Sequence, residues 1–244
     1  MHEKADQDGG AATTPTDPAD PPAAALERAL RLLHGRAGRT GRIILGLAGP
    51  PAAGKSTLAR YLVDEVNRRE GPDTAAHLPL DGFHLSNTQL DRLGLRTRKG
   101  APETFDAWGY AALVTRAATE RFRDIYVPDF DRDLDEPIAA RHIIRPHTRL
   151  VVTEGNYLAV PAAPWQTVRG LLRELWWVEA HDTVRAERLL RRHRSTGETR
   201  ESAEQRIAVN DHPNGEYVRP GAAGCDWAVP SGHLPSATDG RTVL

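Results

Sequence analysis

The run RIILGLAGPPAAGKSTL, residues 42–58, constrains this chain more than any other stretch. It reads as a short apolar strand (Ile43, Ile44, Leu45), a glycine-rich turn and the first residues of a helix. Within it, Gly49, four intervening residues, Gly54, Lys55 and Ser56 fit G-x-x-x-x-G-K-[ST], the spacing of a polyphosphate-binding loop. Backbone N–H groups can surround a polyphosphate only if the loop is tight, and glycine supplies the close approach. A helix opening at Gly54 aims its free N–H groups and its positive dipole end at the anion. The backbone of Gly49, Ala52, Ala53, Gly54, Lys55, Ser56 and Thr57 is therefore the expected nucleotide cradle. Lys55 is placed to reach the terminal phosphates and the Ser56 hydroxyl to ligate Mg²⁺. Pro50 and Pro51 donate no N–H but fall in the first half of the loop, where few phosphate-facing donors are needed.

The rest of the chain has to build a domain around that loop. Its 244 residues suffice for one α/β domain with a good core and a lid. A formal charge of −1 gives no reason to expect a nucleic-acid partner. The single cysteine, Cys225, excludes an internal disulfide framework, and no apolar run approaches 18 residues. With no signal-peptide pattern at the N-terminus, a cytoplasmic protein without a membrane segment is expected. Residues 1–22, rich in Ala, Thr, Pro, Asp and Gly, read as a disordered tail, leaving 23–244 as the domain.

Hydrophobic periodicity predicts helices over 23–34, 54–69, 107–122, 165–172, 181–194 and 201–210. It predicts strands over 43–45, 75–80, 150–153, 175–178 and 226–229. Residues 93–106 are expected to be irregular, and the acidic stretch 124–137 to form a loop or a hairpin with 141–144. Strands alternating with helices indicate βαβ units and a parallel sheet, with the C-terminal strand ends along one edge. Ligands bind at that edge in open α/β sheets. The glycine-rich loop, Asp81 and Glu154 all fall there.

Each of the two carboxylates has two readings. Glu154 follows the apolar run 150–152 and is either a Mg²⁺ ligand at a strand tip or a plain surface glutamate. Asp81 is either the group that accepts a hydroxyl proton during phosphoryl transfer or the cap of an Asp-Gly turn. The basic helix carries Arg188, Arg191 and Arg192 at i, i+3 and i+4. These make either a solvated face or a lid, about 185–201, whose arginines close over the phosphates and turn on the polar stretch around Gly197.

The ordered set formed by the glycine-rich loop, DGFHL, RKGAPETFD, VVTEGNYL and RLLRRHR resembles the phosphoribulokinase, uridine kinase and type I pantothenate kinase group of P-loop kinases over roughly residues 25–230. That resemblance implies a P-loop NTPase fold with a five-stranded parallel sheet flanked by helices and a helical lid. It implies ATP and Mg²⁺ as cofactors and a small hydroxylated metabolite, such as a nucleoside, a pantothenate-like compound or a sugar, as acceptor; a homodimer stays open. It makes Asp81 the catalytic aspartate, with Lys55, Arg188 and Arg192 stabilising transferred charge and Arg191 on the nucleotide. Glu154 and Ser56 become the metal ligands. The acceptor site then falls around Phe83, His84, Phe105 and Asp106. Phe130, in VPDFDRD, stands where these kinases carry the tyrosine of a substrate-contacting Pro-x-Tyr segment, and lacks its hydroxyl. NDHPNGEYV, 210–218, resembles a segment of the nucleoside/nucleotide kinase-like branch.

Lysine usage adds one residue. Only Lys4, Lys55 and Lys99 occur among 32 basic side chains, so Lys99, kept beside Arg96 and Arg98, is either a chance survivor on the surface or, since its segment leads into 102–106 where the resemblance puts the acceptor site, a residue lining that pocket, where a compact charge fits and a planar fork does not. The rival from another class is a nucleotide-binding regulator or switch ATPase with no small acceptor, which would not need an aspartate facing a second pocket.

Overall fold

The computed structural model describes residues 20–35 and 41–229. Five parallel strands, β1 (Ile43–Ala48), β2 (Ala75–Pro79), β5 (Leu150–Glu154), β6 (Glu174–Val178) and β7 (Trp227–Val229), form one sheet in the order β2-β5-β1-β6-β7. Helices α1 (Pro21–His34) and α2 (Lys55–Glu70) cover one face, and α4 (Ala107–Thr119) and α5 (Trp165–Leu171) the other. Side chains alternate between the two faces: Ile43, Leu45 and Leu47 of β1 face α1 and α2, whereas Ile44 and Ala48 face α4 and α5. A sheet buried on both sides needs continuous apolar strands, which is why IILGLA and LVVTE show no polar alternation.

A separate antiparallel hairpin, β3 (Ile125–Asp131) with β4 (Glu136–Ile144), packs along β2 and the turn at its tip. Its register shifts between Val127 and Asp129, around Pro128, which has no N–H to give the ladder. The hairpin rests on the turn after β2: a Cβ at Gly82 would collide with the Pro128 carbonyl. This settles the acidic stretch in favour of a hairpin.

Three elements differ from expectation. Residues 1–19, most of the expected tail, lie outside the described residues, but Pro21 and Pro22 belong to α1. Asp20 caps that helix by accepting from Ala23 N at 3.4 Å, with the prolines at its first positions. A helix absent from the sequence reading, α3 (Asn87–Leu93), starts at the Ser86 cap and ends at Gly94 in the left-handed region. The helix expected over 201–210 is α7 (Arg200–Arg206) followed by a wide π turn, Ile207–Asp211, and α8 (His212–Val218). The basic helix, α6, spans Asp182–Ser195.

Candidate active site

A cleft of about 640 Å³ opens along the C-terminal edge of the sheet. Eight Lys and Arg side chains line it against five carboxylates, an excess suited to a polyanion. Gly49 brings the loop against β6 so closely that a Cβ there would strike the Val178 carbonyl, and its φ of 150° favours glycine. Gly54 precedes α2 with φ 105°. Gly49 and Ala53 shape the loop without lining the cleft; Ala52, Gly54, Lys55, Ser56 and Thr57 line it.

Lys55 is buried and folded back into the loop, donating to Pro50 O at 2.9 Å and to Asn156 Oδ1 at 2.7 Å. Burial lowers its pKa to about 8, with Glu154 and Asp81 opposing that effect. Glu154, 3% exposed, ends β5 and opens on the same cleft. Its carboxylate makes no hydrogen bond among the described residues; the His77 ring lies beside it, with Nε2 at 3.7 Å. Both His77 ring nitrogens are buried without a hydrogen-bond partner among the described residues. An unbonded carboxylate and the Ser56 hydroxyl lining one cleft are an oxygen donor set that fits Mg²⁺, which takes one or two protein ligands and completes its shell with phosphate and water.

Asp81 sits in the single helical turn Leu80–Phe83 at the tip of β2. Burial pushes its carboxyl up, but His84, Arg132, Arg192 and Lys55 outweigh that and hold the pKa below the ordinary aspartate value. The group is an ionised base facing the cleft. Beyond it, His84 stacks on Phe105 at 4.0 Å and on Phe130 at 4.8 Å, making an aromatic wall. The two motif segments that supply this wall pair with each other: Leu85 N donates to Thr104 O and Asp106 N to Phe83 O, both at 2.8 Å.

Not every expected acceptor residue reaches the cleft. Phe83 turns to the core, edge-on to Tyr110 at 5.3 Å. Asp106 caps α4, accepting from Gly109 N at 2.8 Å, and is outside the cleft. Lys99 does line it, but its Nζ is spent on Asn87 Oδ1 at 2.6 Å and on Asp135 Oδ2 at 3.0 Å. It braces the hairpin turn against α3.

The basic helix is more than a solvated face. Arg185, 6% exposed, donates to Pro51 O at 2.9 Å, and Arg188 to Ala52 O at 3.2 Å, so α6 is docked on the phosphate loop. Arg191 and Arg192 line the cleft. The sequence reading missed Asn156, although it lies in VVTEGNYL, and Arg185, because its partner is 134 residues away. It also missed the residues of the π turn. Asn210 Nδ2 holds Lys99 O at 2.8 Å, and Asp211 accepts from His193 at 2.9 Å, so NDHPN joins the lid to the acceptor side.

No family model matches the chain. It is 36% identical over 180 residues to the uncharacterized protein YggC of Escherichia coli, covering 72% of this chain and 73% of YggC. It is 34% identical over 183 residues to the uridine kinase candidate C227.14 of Schizosaccharomyces pombe, covering 72% of this chain and 78% of that protein. The crystal structure of a fructose transport system kinase candidate from Silicibacter sp. TM1040 superposes with a TM-score of 0.76 at 32% identity, over 86% of this chain and 98% of that one. At this identity and coverage the chain belongs to the P-loop kinases of the phosphoribulokinase and uridine kinase type.

Proposed function

We propose that the protein transfers the γ-phosphoryl group of ATP to a hydroxyl of a small metabolite. The observation that carries this reading is the second compartment: the phosphate loop shares its cleft with an ionised Asp81 backed by the His84–Phe105–Phe130 wall. A switch ATPase has no use for a base in an aromatic pocket. The names of its relatives, which include uridine kinase and pantothenate kinase, support an alcohol acceptor without singling one out.

In this reading the loop backbone and Lys55 bind the β- and γ-phosphates, Lys55 leaving Pro50 O to do so. Ser56 and Glu154 would hold Mg²⁺, which when bound would neutralise phosphate charge. Asp81 orients the acceptor hydroxyl and takes its proton as the oxygen attacks phosphorus. Arg192, with Arg188 beside the loop, offsets charge on the transferring oxygens, and α6 acts as the lid excluding water. The expected setting is cytoplasmic.

The test is ADP formation from ATP with Mg²⁺ across a panel of nucleosides, pantothenate and sugars. Acceptor-dependent ADP release, abolished in a folded Lys55→Ala protein, supports the reading. Equal ADP release with no alcohol present favours the regulatory ATPase.

A further inference from the structure

The acceptor side of the cleft carries positive charge that its own structure leaves unused. Of the carboxylates in and beside the acidic hairpin turn 131–135, Asp131, Asp135 and Glu136 are bonded within the protein, and Asp133 is exposed and does not line the cleft. Asp131 accepts from Asp133 N, Leu134 N and Arg141, Asp135 pairs with Lys99, and the adjacent Glu136 accepts from Asn87 N. Arg132 is the residue whose charge this turn presents to the cleft without a bonded partner among the described residues. Among the described residues its guanidinium makes no hydrogen bond, and its one ion pair is with Asp81 at 3.9 Å. On the facing lid, Arg206 is paired with Glu198 at 2.7 Å, whereas the Arg192 guanidinium makes no hydrogen bond among the described residues. Arg132 and Arg192 repel one another, Arg132 contributing to the lowering of the Arg192 pKa after desolvation.

The transferred phosphoryl group accounts for one of these two arginines but not for both. The phosphate loop follows β1, while Asp81 follows β2, two strands away in the order β2-β5-β1. Two strand spacings are roughly 10 Å. A γ-phosphoryl held by Lys55 approaches Asp81 from the loop side, and Arg192 faces it there. Arg132 lies on the hairpin wall, next to Asp81 on the side away from the loop, where the body of the acceptor must sit. A half-exposed arginine that turns into the pocket and stands 3.9 Å from the Asp81 carboxylate keeps its N–H donors free for an anion brought by a ligand.

We infer that the acceptor carries an oxyanion, a phosphomonoester or a carboxylate, besides the hydroxyl that is phosphorylated, and that Arg132 is the residue that binds it. The inference rests on the kinase reading above. A guanidinium suits this task because its planar fork meets two oxygens of a phosphate or carboxylate at once. Asp81 is then released from Arg132 when the acceptor enters, so binding of the anion and exposure of the base go together.

The test measures ADP formation on matched pairs: D-ribose 5-phosphate against D-ribose, glycerate against glycerol, and pantothenate against pantothenyl alcohol. The sugar pair reads a phosphate, the other two a carboxylate. The charged member of the accepted pair is expected to be preferred. Arg132→Gln should raise its KM about 10–100-fold, the scale of a lost charged hydrogen bond, while changing the ATP KM and the neutral member's KM less than about threefold. Arg132→Lys should restore part of the loss. Preference for the neutral member, or a fall in kcat equal for both members, overturns the inference and leaves the kinase reading standing. If no compound yields ADP, the kinase reading fails, and a second measurement still decides the subsite. With Mg²⁺ and ADP filling the loop, inorganic phosphate is titrated by calorimetry into wild type and Arg132→Gln. Phosphate affinity that falls at least about tenfold in the variant supports an anion site at Arg132. Affinity that is unchanged, or no binding in wild type, overturns it.

Discussion

At the residue scale the site is a set of charges held apart by small distances, and two of them make predictions. Asp81 is kept ionised by His84, Arg132, Arg192 and Lys55 against the effect of burial. Asp81→Asn keeps the shape and removes the base, so kcat should fall roughly 10²–10⁴-fold while ATP affinity stays nearly unchanged. Steady-state kinetics beside ADP calorimetry reads both; loss of nucleotide binding would make Asp81 structural instead. Lys55 has a pKa of about 8 in the free protein because it is buried. Phosphates bind its charged form, so the bound pKa is higher than the free one. ADP affinity should therefore be insensitive to Lys55 below about pH 7 and weaken above about pH 8, approaching tenfold per pH unit. Calorimetry in two buffers of different ionisation enthalpy should show proton uptake at pH 8.5, and its absence would place a charged lysine in the free site.

At the scale of elements, α6 is divided along its length. Its first two turns are fastened to the phosphate loop by Arg185 and Arg188, whose acceptors are the carbonyls of Pro51, Ala52 and Ala53. Its last turn ends at Ser195 in a connection where Gly197 has φ 90° and open space around it. Arg194 and Arg200 flank that connection and are exposed. Nucleotide that engages Arg191 and Arg192 should tighten this half of the helix. Trypsin cleavage at Arg194 and Arg200 should slow several-fold with a non-hydrolysable ATP analogue. Equal rates with and without it would mean that the docked half already holds the whole lid. The π turn Ile207–Asp211 belongs to the same unit, since it sets Asn210 against Lys99 O and Asp211 against His193. Wide turns of this kind concentrate at functional sites.

For the whole molecule, the sheet separates stability from function. Arg42, just before β1, is 5% exposed and donates to four carbonyls, those of Thr148, Ala117, Glu120 and Arg145. It ties the N-terminal edge of the sheet to the end of α4 and to the loop before β5. The six residues of β1 put it roughly 20 Å from the phosphate loop. Arg42→Ala should cost on the order of 3 kcal/mol by leaving buried acceptors unpaired, lowering Tm by roughly 6–12 °C. ADP affinity should stay within about twofold, and a large loss of binding by the folded variant would show the two edges to be coupled. Among the described residues no helix is long and apolar enough to cross a membrane.

What the amino-acid order determines alone is what depends on neighbours along the chain. The phosphate loop, the five apolar strands and the strand-tip positions of Asp81 and Glu154 follow from spacing and periodicity, and the structure has them where the sequence puts them. The caps at Asp20 and Ser86 are equally local and were legible in D-P-P and S-N-T-Q, though the reading passed over them. Only the tertiary structure decided which charges are spent. Lys99 is taken by Asp135, 36 residues on, and Arg185 by Pro51, 134 residues back. Phe83 and Asp106 differ from His84 and Phe105 by one position each, and the pairing of their two segments turns His84 and Phe105 to the cleft, Phe83 to the core and Asp106 to the start of α4. Arg132 is one cation in an acidic run, and its lack of a bonded partner appears only once Asp131, Asp135 and Glu136 are seen to be engaged elsewhere. Hydrogen bonds between distant segments carry no period in the sequence, so the residues that bind the acceptor emerge from the fold.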